Sequence, residues 1–162
     1  MTMNGDFLTD FWMFLEKCLS NMIYELPTFV FFNLNQGKYL SRISKKNKLK
    51  FNLIYAYEQL VWQGPFYLKK IFSELEDEKL NCIAECKENT GFVLSLLRIG
   101  IRNLNFFSQN VNLNIKVINL AEKYGSRIFL FEKFKKIHVL SNANEINLHQ
   151  KELQKYLEKE YF

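Results

Sequence analysis

The chain is poor in residues that interrupt regular structure: its 162 residues include only 6 Gly and 2 Pro. So few breakers leave little room for long irregular segments, and no Ser/Gly- or Pro-rich linker divides the sequence. Cysteine is scarce as well. Cys18, Cys82 and Cys86 form an odd set at irregular spacing, which makes no disulfide framework and suits a reducing compartment. No stretch reaches the roughly 18 uninterrupted apolar residues of a membrane span. The N-terminus lacks a basic start before an apolar core, because Asp6 and Asp10 come first and Glu16-Lys17 interrupt the run. A cytoplasmic or organellar-matrix location is expected. There is no GxGxxG, P-loop or CxxC, and His138 and His149 do not join Cys82 and Cys86 in any zinc spacing, so no cofactor and no metal are expected.

What is abundant is Phe, at 16 residues, within a chain that is 48% hydrophobic and 24% charged. Asn, Lys, Ile and Tyr are also plentiful, the bias an AT-rich genome produces. That bias weakens any reading of the net charge of +5, since codon usage favours Lys without selection for a basic surface.

The hydrophobic pattern predicts alternating strands and helices. Phe7, Leu8, Phe11, Trp12, Phe14, Leu15, Cys18, Leu19, Met22, Ile23 and Leu26 recur at helical spacing, opposite a polar face, and Pro27 ends the run. Thr28 to Leu34 reads as a strand covered on both faces, followed by a turn at Asn35-Gln36-Gly37. Lys38 to Lys50 reads as a basic loop. Asn52 is placed as the cap of a short helix ending near Gly64, with Pro65 opening the next one. Glu74, Glu76, Asp77 and Glu78 then crowd a helix C-terminus, where they oppose its dipole. Leu80 to Cys86, Asn103 to Ser108 and Ile128 to Glu132 read as strands, Ile137 to Leu140 as a short extra one, and helices fill the intervals.

The expected architecture is a single α/β domain over residues 1–162. An amphipathic helix at 6–26 precedes a body at 28–162. The body is an open, mostly parallel, four-stranded Rossmann-like sheet with helices on both faces. Ligands in such sheets bind at the edge formed by the carboxyl ends of the strands.

The stretch Leu80–Ser108 carries the main candidate site. Cys86 falls where strand turns toward helix, a position that can activate a thiol, although a packed strand-end thiol is the commoner outcome. Asn89, Thr90 and Gly91 could offer backbone N–H groups to an anion or, more simply, cap the helix. Glu85-Cys86, then Gly91, Leu94, Leu97-Arg98 and Gly100, resembles a pattern in small uncharacterised α/β proteins of α-proteobacteria. Lys87 and Thr90 stand where that pattern has Gly and Pro. The resemblance implies lineage and fold and carries no activity.

The second candidate is the charge asymmetry. Lys38, Arg42, Lys45, Lys46, Lys48 and Lys50 fall in a stretch with no acid between Glu25 and Glu58. With Tyr39 and Phe51 interleaved, such a segment could track phosphates and stack bases. Three functions therefore compete. The leading one is a non-catalytic binding or assembly protein that uses the aromatic-rich N-terminal helix and the strand-end edge for a protein partner. The second is an RNA- or ribosome-associated protein using the basic segment. The third is a small enzyme or anion-binding module at the Cys86–Gly91 loop.

Overall fold

Each strand pairs with the one before it, until the last. The computed structural model describes residues 21–140 and 146–161. Its elements run β1 (Thr28–Phe31), α1 (Leu34–Asn47), β2 (Phe51–Tyr55), α2 (Tyr57–Glu74), β3 (Leu80–Glu85), α3 (Thr90–Arg98), β4 (Asn103–Asn105), α4 (Val111–Lys123), β5 (Arg127–Phe129), β6 (Ile137–Val139) and α5 (Ile146–Tyr161). A 3-10 turn, Phe131–Lys133, lies between β5 and β6. The sheet order is β5-β4-β3-β2-β1-β6, with every pair parallel. The α/β class with a parallel sheet is as expected, but the sheet has six strands rather than four.

Strand alternation sorts the core into two layers. Phe29, Phe31, Phe51, Leu53, Tyr55, Ala84 and Leu104 face one side, where they meet Leu40, Leu60, Leu68, Leu96, Val117 and Leu157 from the helices. All five helices α1–α5 contribute their buried apolar residues to this layer and none to the other. Val30, Ile54, Ile83 and Phe129 face the opposite side. For the body, whose helices are α1–α5, the expected placement on both faces is thus corrected. Four consecutive right-handed crossovers that advance in one direction put their helices on a single face.

The second face is covered by other means. From β5 the chain returns across it to β6 through residues 130–136, and Phe131 and Phe134 pack there with Ile23 and Tyr24. Residues 21–25 are helical; the rest of the expected N-terminal helix lies outside the described residues. Tyr24 fastens the two segments. Its ring sits 4.9 Å from Phe134, its carbonyl accepts from the Lys135 amide at 3.1 Å, and its hydroxyl accepts from the Leu130 amide at 3.3 Å.

This face also carries a polar row at the N-terminal ends of the strands. Thr28, Asn52 and Asn81 are register partners on β1, β2 and β3. Asn52, fully buried, donates to the Ile23 carbonyl at 2.7 Å and to Thr28 Oγ1 at 3.0 Å, and accepts from Asn81 Nδ2 at 3.1 Å. The row therefore ties three strands to the incoming chain. Replacing Asn52 by Ala should cost about 1–3 kcal/mol, because it strands buried partners without water. Urea denaturation measures this; a loss below about 0.5 kcal/mol, the range of an ordinary surface change, would show that the row is not needed.

Candidate functional site

The expected ligand edge is built from side chains that cap helices. Ala56 precedes α2 and has no side chain able to cap it. Glu85, at the end of the neighbouring β3, supplies the acceptor: its carboxylate takes the Tyr57 amide at 2.9 Å. Asn89 caps α3 by accepting from the Phe92 amide at 3.1 Å, and its Nδ2 donates to the Tyr57 hydroxyl at 3.2 Å. Thr90 and Gly91 are the first two residues of that helix. Lys87, in the left-handed region at φ 49°, pairs with Glu58 at 2.5 Å and lies over the Tyr57 ring. That pairing holds the Glu58 carboxyl below its usual range and the Lys87 ammonium above its own. Glu88 accepts from the Gln109 amide at 3.3 Å.

Cys86 is fully buried in the helix-side layer, with its sulfur directed at the Ala84 carbonyl. Burial, and secondarily the Glu85 charge, push its thiol up to about 12. Burial does the same to Cys82. A thiol so raised is protonated at neutral pH and is a poor nucleophile. His138 stacks on Tyr156 at 4.9 Å, far from a catalytic role beside Cys86 in sheet order. The His149 side chain lies outside the described residues. Among those described, no three His, Cys, Asp or Glu side chains cluster as metal ligands.

In open α/β sheets a crevice forms where neighbouring outgoing loops part to opposite faces. Here that point is between β4, whose chain leaves for the helical face, and β5, whose chain leaves for the other. Asn105 closes it: its buried amide donates to the Phe129 carbonyl at 2.9 Å. The Cys86–Gly91 loop instead lies between strands whose outgoing helices share one face.

The basic segment is not a loop. Residues 34–47 form α1, and β2 begins at Phe51, where the sequence suggested a cap and a helix. Asn33 caps α1 by accepting from the Gln36 amide at 3.0 Å, while the Gln36 side chain accepts from the Phe32 amide at 2.8 Å. Gly37 is no turn residue. It lies inside the helix because a Cβ there would come within 2.6 Å of Leu75 Cδ1. The cations divide by partner. Lys38 and Lys45 turn toward α2 and pair with Glu74 at 2.5 Å and Asp77 at 3.3 Å. This accounts for two of the acids crowding the end of α2: Glu74 and Asp77 clasp α1. Arg42 and Lys46 line a groove shared with α5.

Exposed aromatics on α2 are a feature that helical periodicity did not single out. Trp62 and Phe66 are 85% and 78% exposed and flank the kink at Gly64, whose φ of 79° breaks the helix before Pro65. Val61 and Tyr67 are exposed beside them. The signal was available: with Leu60, Leu68 and Ile71 turned inward, neighbouring apolar residues must point out. On α4, Val111, Ile115 and Ile118 form a second exposed apolar stripe, opposite Val117 and Ala121.

Compared with family profiles, curated proteins and solved structures, the chain matches none.

Two outcomes test the assignment of these groups to structure. Alkylation of Cys86 at neutral pH should be slow and should speed up only on unfolding; rapid labelling of the native protein well below the ordinary thiol range of about 8.5 would show an activated thiolate. At Glu85, burial raises the folded carboxyl above its unfolded value, opposed by the Tyr57 amide and Lys87. The folded state then holds the proton longer, so stability falls as pH rises from the unfolded carboxyl range through the raised one. Glu85→Gln keeps an acceptor for Tyr57 and should abolish that pH dependence without loss of stability. Glu85→Ala should lose about 0.5–2 kcal/mol with the cap. Equal losses in both variants, read by thermal melts across that pH range, would mean that the charge itself is required.

Proposed function

We propose that the protein is a non-catalytic binding or assembly domain that docks a protein partner on the aromatic ridge of α2. The exposure of Trp62 and Phe66 carries this reading. Large aromatics anchor protein interfaces because they combine apolar area with low conformational freedom, and Trp is enriched among the residues that dominate binding. Here two such side chains stand out on a helix whose fold needs are already met by Leu60, Leu68 and Ile71.

Charge indicates the chemistry of the partner. Lys69 and Lys70 are exposed just beyond Phe66. The acids at the two ends of α2, Glu58 and Glu74, are engaged by Lys87 and Lys38. The ridge therefore presents an apolar centre with a cationic rim. It fits a protein surface with an apolar pocket and acidic margins. The groups a small enzyme would draw on at the Cys86–Gly91 loop are engaged in caps, an ion pair and the core, which supports a binding role over catalysis. Kinship with the small α/β proteins of α-proteobacteria, resting on Glu85-Cys86, Gly91, Leu94, Leu97-Arg98 and Gly100, belongs to the same reading.

Site-specific photo-cross-linking tests the ridge. A benzophenone amino acid in place of Trp62, in the producing cell, should give one discrete protein adduct. The same probe in place of Arg98, exposed on α3, should give none. Lys69→Glu with Lys70→Glu should abolish the adduct, while Phe66→Ala should leave stability within about 0.5 kcal/mol, as for a surface change. Absence of an adduct at position 62, or an adduct indifferent to the charge reversal, would overturn the proposal.

A further inference from the structure

We infer that the groove between α1 and α5 is a binding site for single-stranded nucleic acid, separate from the α2 ridge and independent of its role. The groove holds about 540 Å³ and is lined by Tyr39, Arg42, Ile43 and Lys46 on α1 and by Gln154 and Glu158 on α5, among others. Its two walls belong to helices whose buried sides rest on the same sheet face. Their exposed sides therefore point outward together. On α5, Lys151, Lys155 and Lys159 are all exposed and repeat at four-residue spacing, so they form one row on that helix.

The cations sort by availability. Lys38 and Lys45 are engaged by Glu74 and Asp77. Arg42 and Lys46 border the groove, and the exposed lysine row of α5 lies next to Gln154 and Glu158 on that helix, just outside the lining. Glu158 also lines the groove, held by a hydrogen bond from Gln154 at 3.0 Å. Arg42 and Lys46 along one wall, with the exposed lysine row beyond the other, offer cations to a phosphate backbone. A ring and an aliphatic side chain between them, from Tyr39 and Ile43, offer bases an apolar surface. A concave cleft suits a flexible strand better than a flat bilayer, and the most exposed aromatics, Trp62 and Phe66, lie on α2 and not here.

The test is fluorescence anisotropy with a labelled oligouridylate of about ten nucleotides and its deoxy counterpart, followed against salt. The parent should bind at low salt with a negative logarithmic salt slope. Arg42→Ala with Lys46→Ala should flatten that slope by about 1.4, two phosphate contacts at about 0.7 each. Lys151→Ala with Lys155→Ala should flatten it similarly. Lys38→Ala with Lys45→Ala should leave it unchanged, although the charge removed is the same. Circular dichroism confirms that each variant is folded; if the α1 variant is not, Arg42→Gln with Lys46→Gln replaces it. Three results would overturn the inference: no binding at low salt, equal slopes in all the double variants, or binding to phosphatidylglycerol vesicles without binding to either oligonucleotide.

Discussion

The structure depends on one constraint, the right-handed crossover of parallel strands. β1 to β5 are laid side by side in chain order, so every crossover helix falls on the same face. That concentrates the helical core on one side and leaves the other side of the sheet without crossover helices. The chain meets this second requirement by running the β5–β6 connection back across the open face and pinning it with Tyr24 against Phe129 and Phe134. The amide row of Thr28, Asn52 and Asn81 belongs to the same solution. It gives the incoming chain at Ile23 a fixed hydrogen-bonding address, where apolar contacts alone would specify position loosely.

A second consequence concerns the strand ends. Short connections force helices to start almost immediately after strands, and each start exposes amides that need acceptors. Asn33, Asn89 and Asn110 supply them locally. Ala56 cannot, and Glu85 reaches over from the next strand. The polar edge that looks like a site in the sequence is largely the apparatus that closes helix ends. Groups not engaged in this way lie on the outer surface of the helical layer, on α2 and in the α1–α5 groove.

How much of this could be read from the sequence varies with what each residue encodes. The strand Leu80–Glu85, the loop with its Asn89 cap and the helix behind it were legible, because apolar run, polar cap and apolar stripe follow in order. The Gly64-Pro65 break was legible for the same local reason. β2 was not: Lys50 and Asn52 interrupt an otherwise apolar run, and only the neighbouring Thr28 and Asn81 make a buried Asn favourable there. α1 was missed because Asn35-Gln36-Gly37 has turn composition, whereas Gly37 answers a tertiary demand for close approach by Leu75. Helix layering on one face is likewise a property of strand order, which local pattern does not carry.

Composition alone would scatter lysines over the surface of an AT-biased chain, and then their positions would have no order. On α1 they are ordered. Residues 38 and 45 are seven apart and share a flank, as helix geometry requires, and each meets an acid from the end of α2. Residues 42 and 46 are four apart and line the groove shared with α5, a helix whose own exposed lysines repeat at 151, 155 and 159. Glu74 and Asp77 thus offset two of the α1 cations and leave the two that line the groove. An offset pair beside the end of α2 and a cationic pair beside α5 follow from four residues that look uniform in the sequence. The field outside the helical layer is therefore set by which cations have acids in reach, and the formal charge of +5 describes it poorly.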